Sequence, residues 1–538
     1  MSIAIPGLSA STKTPAVYLN VSLGGPGTSA GAAPETILLI GNKLEADISI
    51  NPGDPTIQVG AGLMPLATPT FCASAEDASF LCGQGSELHR MARAVFAQYP
   101  AASLYLAANA VSAGSSATAV LTFATTATGD FAVRLVLCDQ VLEVPVSTGD
   151  TPTVIATACA TAINNAADLP YYAQFAAGVL TITAKMAGVR GNSLIVGAYF
   201  VESTFSVRIT DSSTSGPGGT TGQWTTINDI YGTEFSLIGG TTADSIADVI
   251  TAIASQRFNR IVVASNDATN MLRLVTHLDS LAGVTVGLRQ QGIAAVISTL
   301  GNATTLATAL NASRLQVGWH YASKIPGPEV AATLAAARLA GDGSVGGILV
   351  GESADPSANL DGVQLATVLA QTAALDQPTA TEVESALNNG LAPLVPSNAR
   401  PGFCALARSV TSRSLANGVP NFAVIDTEFV TVCDYVADDL QSSLATSYQG
   451  FKLGADSANG NPPLSPRVTT PSLVRAYILD RLAGYEARSI LRDVTANVSL
   501  LVVEADAVVS GRLNCEIPCE PVSGLHIIAG NVRQIASL

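Results

Sequence analysis

The chain has four histidines, His89, His277, His320 and His526, and they lie far apart. No HExxH string occurs, so the spacing that places two imidazoles on one helix face around a metal is missing. His320 follows Trp319 at the end of a strand-like stretch and reads as a satisfied structural imidazole. The eight cysteines (72, 82, 138, 159, 404, 433, 515, 519) are scattered. Cys515 and Cys519 flank Pro518, without a second close Cys or His pair to complete a tetrahedral zinc site. All eight read as reduced thiols in a reducing compartment. One GxSxG string is present, Gly27-Thr28-Ser29-Ala30-Gly31. A nucleophile elbow needs a helix directly after the serine. Here Ala32-Ala33-Pro34 and then a strand follow, so a loop is the better reading and Ser29 is not expected to be a nucleophile. The pattern GxxxxGK[ST] is absent, which disfavours a nucleotide-driven motor. Gly216-Pro217-Gly218-Gly219 has no helix N-terminus after it to hold a phosphate and reads as a linker. Asp434, Asp438 and Asp439 form an acidic cluster on a helix, expected to be solvated or salt-bridged. No catalytic set assembles; the chain reads as a non-enzyme with no cofactor and no metal.

Composition narrows the classes further. The 538 residues allow roughly three domains at about 150 each. An apolar share of 48% excludes a disordered chain. Charged residues are only 12%, about half the usual quarter, and 41 acidic against 26 basic residues give a net charge of -15. Such a surface repels phosphate backbones and anionic lipid, so no direct nucleic-acid partner is expected. Few charges and a mean hydropathy of +0.37 suggest that other subunits cover much of the surface, because a particle working alone needs a charged exterior. Membrane insertion is not expected. The uncharged stretch from Ala94 to Gly129 is broken by Pro100, Asn109 and many Ser and Thr, leaving nothing like about 18 clean apolar residues. The opening residues do not read as a signal peptide, since Pro6 and Gly7 interrupt any apolar run and the first basic residue is Lys13.

The elements that must position these residues give an α/β and α+β, multidomain reading. Residues 1–35 read as an N-terminal arm, in which Val17, Leu19, Val21 and Leu23 alternate with polar residues at the period of a strand. Residues 36–110 and 233–355 carry strands and helices in alternation, the grammar of a partly parallel sheet flanked by helices. Within them, Ser74 with Asp77, and Ser86, open helices. Residues 111–232 are Thr-, Ala-, Gly- and Val-rich, with short strands and one helix near Pro152 to Asn165, and read as an inserted β-rich outer domain. Residues 356–523 read as an α+β inner domain, with helices at Thr379–Asn388, Thr427–Ala445 and Pro471–Arg488. Residues 524–538 form a C-terminal arm, with a strand expected at Leu525–Ile528. An isolated strand cannot fold alone, so both ends look for a sheet to join.

Several segments taken in order resemble the contractile tail sheath proteins of bacteriophages, in their Mu-like branch. The opening SIAIPGLSASTKTPAVYLNVS and then ILLIGNK are similar to that family's start. GQGSELHRMARAVFAQYPAASLYLA (Gly83 to Ala107) is similar to its glycine-serine turn and helix. The strongest likeness is C-terminal: PTATEVESALNNGLAPL (Pro378–Leu394), ARSVTSRS (Ala407–Ser414), Phe422 to Tyr448, and TTPSLVRAYILDRL (Thr469–Leu482). No single motif is diagnostic; the ordered set is. One departure is the scarcity of Lys and Arg near the C-terminal end.

The resemblance implies a structural subunit that polymerises as stacked hexameric rings around an inner tube and contracts to drive that tube through a cell envelope. It implies partners in the chain itself, an inner tail tube protein, and baseplate and tail terminator proteins. The expected location is the virion tail sheath, assembled in the bacterial host cytoplasm. Val17, Leu19 and Val21, with Leu525 and Ile527, would then add strands to a neighbour's sheet. Arg481 and Arg488, seven apart and so on one helix side, would face the tube, against the alternative that they are solvated or paired within the chain. Work would come from a metastable lattice that buries more surface on contracting; at about 25 cal/mol per Å2, a few hundred Å2 per subunit gives several kcal/mol. A secreted surface-layer or adhesive β-rich structural protein is the competing reading, suggested by the Thr/Ala/Gly-rich middle.

Overall fold

Ile37, Leu38, Leu39 and Ile40 are all fully buried, yet they belong to two different cores: Ile37 and Leu39 to one, Leu38 and Ile40 to the other. A strand whose successive side chains enter two cores must sit inside a sheet covered on both faces. This strand, Thr36–Asn42, lies within a nine-stranded sheet of the computed structural model. The structure describes residues 16, 17, 19, 35–49, 58–123, 125–200, 207–210, 233–340, 358–371, 373–421, 425–457, 465 and 467–533.

The helices are α1 (Ala75–Cys82), α2 (Glu87–Gln98), α3 (Pro152–Asn165), α4 (Ala247–Ala252), α5 (Ala268–Leu281), α6 (Leu300–Leu310), α7 (Gly327–Leu339), α8 (Ala380–Asn388), α9 (Thr427–Tyr448) and α10 (Pro471–Ala487). The sheet's strands run, edge to edge, as Gln364–Leu369, Phe403–Leu406, Ala392–Pro396, Leu315–Trp319, Gln291–Val296, Arg260–Val263, Thr36–Asn42, Ser103–Asn109 and Thr70–Cys72. From Ala392–Pro396 to Ser103–Asn109 the pairings are parallel; towards both edges they are antiparallel. Helices α2 and α7 cover one face, joined by Arg90, whose Nε donates to Glu329 at 2.6 Å. Helices α4, α5 and α6 cover the other. At Gly292 a Cβ would meet Leu274 and Leu278 of α5 at 2.9 Å, so only glycine lets that helix lie this close to the strand.

The sequence separates residues 233–355 from 356–523, but the strands at Gln364–Leu369, Ala392–Pro396 and Phe403–Leu406 complete this same sheet. Parallel pairing of Trp319 with Pro393 carries the sheet across that point. Hydrogen bonding, which composition does not reveal, decides the membership of these strands.

Between Ser103–Asn109 and α4 lies a separate all-antiparallel body. One sheet joins Val207–Thr210, Ser116–Phe123, Val179–Ala187 and Tyr171–Ala176; the other joins Thr233–Ser236, Ile195–Phe200, Phe131–Leu137 and Gln140–Val146. Helix α3 opens at Thr151, whose hydroxyl accepts from the Val154 N–H, with Pro152 in its first turn. Its Ile155, Ala156, Cys159 and Ile163 join the body's own core. Arg190 clamps this body to α2, with Nε and Nη2 on the two Glu87 oxygens at 2.8 and 2.7 Å.

The last part is built on α9 and α10. Val432, Val436, Leu440 and Leu444 recur every four residues on α9, and Val474, Ile478 and Leu482 do so on α10, giving each helix one apolar face against the other. A hairpin-like pair, Val502–Ala505 with Leu513–Glu516, packs on the same core.

Candidate functional site

The two chain ends meet different surroundings. Near the N-terminus, Val17 and Leu19 are half-buried against the α9–α10 core. The Leu19 carbonyl accepts from Arg289 Nη2 at 2.7 Å. Val21 lies outside the described residues, as do Ser29 with its surrounding glycines and the Gly216–Gly219 stretch.

Near the C-terminus the position is reversed. Leu525 and Ile527 are 71% and 78% exposed, and Ile528 and Val532 follow at 84% and 99%. The strand expected at Leu525–Ile528 is not formed; residues 522–533 carry no strand. The physical reason is that a strand is defined by a partner, and no described segment pairs with this one. Among the described residues, its base is what is fastened. The Gly524 N–H donates to Glu428 Oε1 at 2.9 Å, Asn359 Nδ2 donates to the Leu525 carbonyl at 3.3 Å, and His526 Nδ1 lies 2.6 Å from Asp361 Oδ2. A Cβ at Gly524 would sit 2.9 Å from Asn359, which fixes glycine at the point where the segment leaves the body.

The acidic cluster on α9 is salt-bridged. Asp434 receives both guanidinium arms of Arg314 at 2.7 Å, in a pair hidden from solvent. Asp438 pairs with Arg289 at 2.6 Å and with Arg257, and Asp439 pairs with Arg481. Burial pulls the Arg314 pKa down, but the charge and hydrogen bonds of Asp434, with the charge of Asp279 added, together outweigh it and the guanidinium stays charged. Each aspartate thus has its own arginine, and two of them tie α9 to the strands and loops of the large sheet.

Arg481 is held by Asp439, which Tyr485 also contacts through its hydroxyl. The hydrogen bond to Asp439, more than the opposing burial, raises its pKa. Arg488 is exposed and donates to the Tyr435 hydroxyl at 2.7 Å. Both arginines therefore have partners inside the chain.

His320 is buried, with Nε2 3.1 Å from the Leu369 carbonyl and 3.1 Å from Cys404 Sγ. Burial lowers its pKa to about 4 and pushes the Cys404 thiol up to about 12, so neither is charged near neutrality. This is the structural imidazole that the sequence implies. One cluster escapes sequence reasoning altogether: Asp426, Glu428 and His526 offer ligand atoms within 4.8 Å of one another. Residues a hundred positions apart give no spacing signal, and only the docking of the C-terminal segment on the start of α9 unites them. No helix among the described residues is long and apolar enough to cross a membrane.

Residues 423–535 match the family described as the phage tail sheath C-terminal domain. That stretch spans α9, α10 and the exposed C-terminal segment. A sheath tail protein from Desulfitobacterium hafniense is similar at 13% identity, covering 92% of this chain and 94% of its own, with a TM-score of 0.46. A sheath tail protein from Listeria innocua is similar at 13% identity over the same shares, 92% and 94%, with a TM-score of 0.45. No curated protein matches the chain. The resemblance to tail sheath proteins read from the sequence holds in the C-terminal region; the Mu-like branch is not distinguished by these matches.

Proposed function

We propose, from a C-terminal region that belongs to the phage tail sheath family, that the chain is the structural subunit of a contractile tail sheath. In this reading subunits stack as hexameric rings around an inner tube, and contraction drives the tube through a cell envelope. The particle is a virion tail of the Mu-like branch or a related injection device, assembled in the bacterial cytoplasm together with tube, baseplate and terminator proteins. The observation that carries the reading is the match over residues 423–535. The exposed apolar row Leu525, Ile527, Ile528 and Val532 supports it, because a segment with these side chains and no strand partner among the described residues is suited to completing another subunit's sheet. Val17, Leu19 and Val21 would serve the same lattice from the other end, although Val17 and Leu19 rest here on the chain's own core. Arg481 and Arg488 would face the tube only after exchanging their partners on α9 and α10. No bond is made or broken in this role. Negative-stain electron microscopy of the purified full chain tests it: hollow tubes or stacked rings are expected, and uniform monomers even with tail tubes added would overturn it.

A further inference from the structure

We infer that Asp426, Glu428 and His526 form a divalent-metal site that clips the base of the C-terminal segment to the start of α9. The argument begins with one atom. His526 Nε2 is buried and has no hydrogen-bond partner among the described residues. It points at Asp426 Oδ2, 3.6 Å away, and at Glu428 Oε1, 3.8 Å away. Both distances exceed hydrogen-bonding reach, so Nε2 makes no direct hydrogen bond to either carboxylate. They are close to the separation of two donors that share an ion: with metal–ligand bonds of about 2.0–2.2 Å, tetrahedral ligands lie about 3.3–3.6 Å apart.

The imidazole is also oriented for this task. Its Nδ1 lies 2.6 Å from Asp361 Oδ2, which holds the ring with Nε2 turned towards the other two carboxylates. A carboxylate behind a ligating histidine is the usual supporting partner at protein metal sites, where it holds the ring and raises its basicity. The carboxylates themselves are well covered, with Asp426 4% and Glu428 5% exposed.

Charge points the same way. Asp361, Asp426 and Glu428 bring three negatives. Arg408 offsets one, with Nε and Nη2 on Asp426 at 2.7 and 2.8 Å. The start of α9 offsets about half a charge more. A bridging water would bring no charge to offset the remainder, a second proton on the imidazole would bring one, and a divalent ion would bring two. The donor set of one imidazole nitrogen and two carboxylate oxygens suits a first-row divalent ion such as zinc, with water completing the tetrahedron. The site needs no thiol, so it is separate from all eight cysteines. Its consequence is mechanical. A metal here would fix where the segment from Ile527 onward leaves the body while leaving that segment itself free. The inference stands whether or not the chain is a sheath subunit.

The experiment uses the full chain, stripped with a chelator and titrated with Zn2+ alone, then with Co2+ as a spectroscopic stand-in. The expected result is one Zn2+ per chain, with affinity falling at least about 10-fold in His526→Ala and in Glu428→Gln, and about 10–100-fold in the positioning variant Asp361→Asn. The Co2+ spectrum should show nitrogen and oxygen ligation without a thiolate charge-transfer band. Glu428→Gln keeps the acceptor for the Gly524 N–H, so it decides the question even if another variant folds poorly. Absence of stoichiometric Zn2+ binding, affinity in the His526 and Glu428 variants equal to that of the unaltered chain, or a thiolate band would overturn the proposal.

Discussion

The two ends of the chain carry similar apolar residues at similar spacing, yet one lies on the chain's own core and the other stands in solvent. Val17 and Leu19 are half-buried beside α9 and α10, and Arg289 holds the Leu19 carbonyl. Leu525 and Ile527 are mostly exposed beyond a base fastened at Gly524 and His526. Alternation tells that a segment wants a sheet; it does not tell whose. That choice depends on which apolar surface the folded body leaves uncovered, and among the described residues the α9–α10 core takes up Val17 and Leu19 but not Leu525 or Ile527.

If this contrast is correct, substitutions in the body should cost stability and those in the C-terminal segment should not. The largest loss is expected for Asp434→Asn, which leaves the buried Arg314 guanidinium without its carboxylate; chemical denaturation should show about 3–5 kcal/mol. Ile478→Ala empties a fully buried site between α9 and α10 and should cost about 2–5 kcal/mol in the same assay.

Acid should weaken the sheet body in a graded way. Burial holds His89 and His320 near 4, below the usual 6.5, so the folded state keeps both neutral while the unfolded chain takes up protons. Their contribution is complete above about pH 6.5 and is lost as the pH falls through about 4. Denaturation midpoints that stay flat between about pH 7 and 4.5 would break this reading, and His320→Gln should remove part of the slope.

The smallest effects test the ends directly. Leu19→Ala should cost about 1 kcal/mol, a half-buried side chain's worth. Ile527→Ser should stay within about 0.5 kcal/mol, as surface substitutions do. Equal losses at the two positions, measured by thermal unfolding, would erase the contrast.

Much of the body is legible in the sequence because local chemistry sets it. Ser74 and Ser86 each cap a helix where the hydroxyl pattern places one, and the helix read from Thr379 closes a full capping box with Glu382. The buried strands at Arg260–Val263 and Leu315–Trp319 follow from their apolar runs. Tyr171–Ala176 is not legible, since half of its residues are polar or small and its identity comes from pairing with Val179–Ala187. The arginines that answer Asp434, Asp438 and Asp439 come from distant positions, so sequence gives the acidic side of each pair and not its partner. The His526 cluster is hidden for the same reason, as a histidine near one end meets carboxylates from two other segments.

The central claim is that the C-terminal segment serves association and not folding. Removing residues 527–538 and comparing the truncated chain with the full chain, by thermal unfolding and negative-stain microscopy on the same samples, tests it most directly. The account predicts a melting temperature within a few degrees of the full chain's, together with loss of tubes or rings. A truncated chain that still assembles, or one that no longer folds, would contradict it.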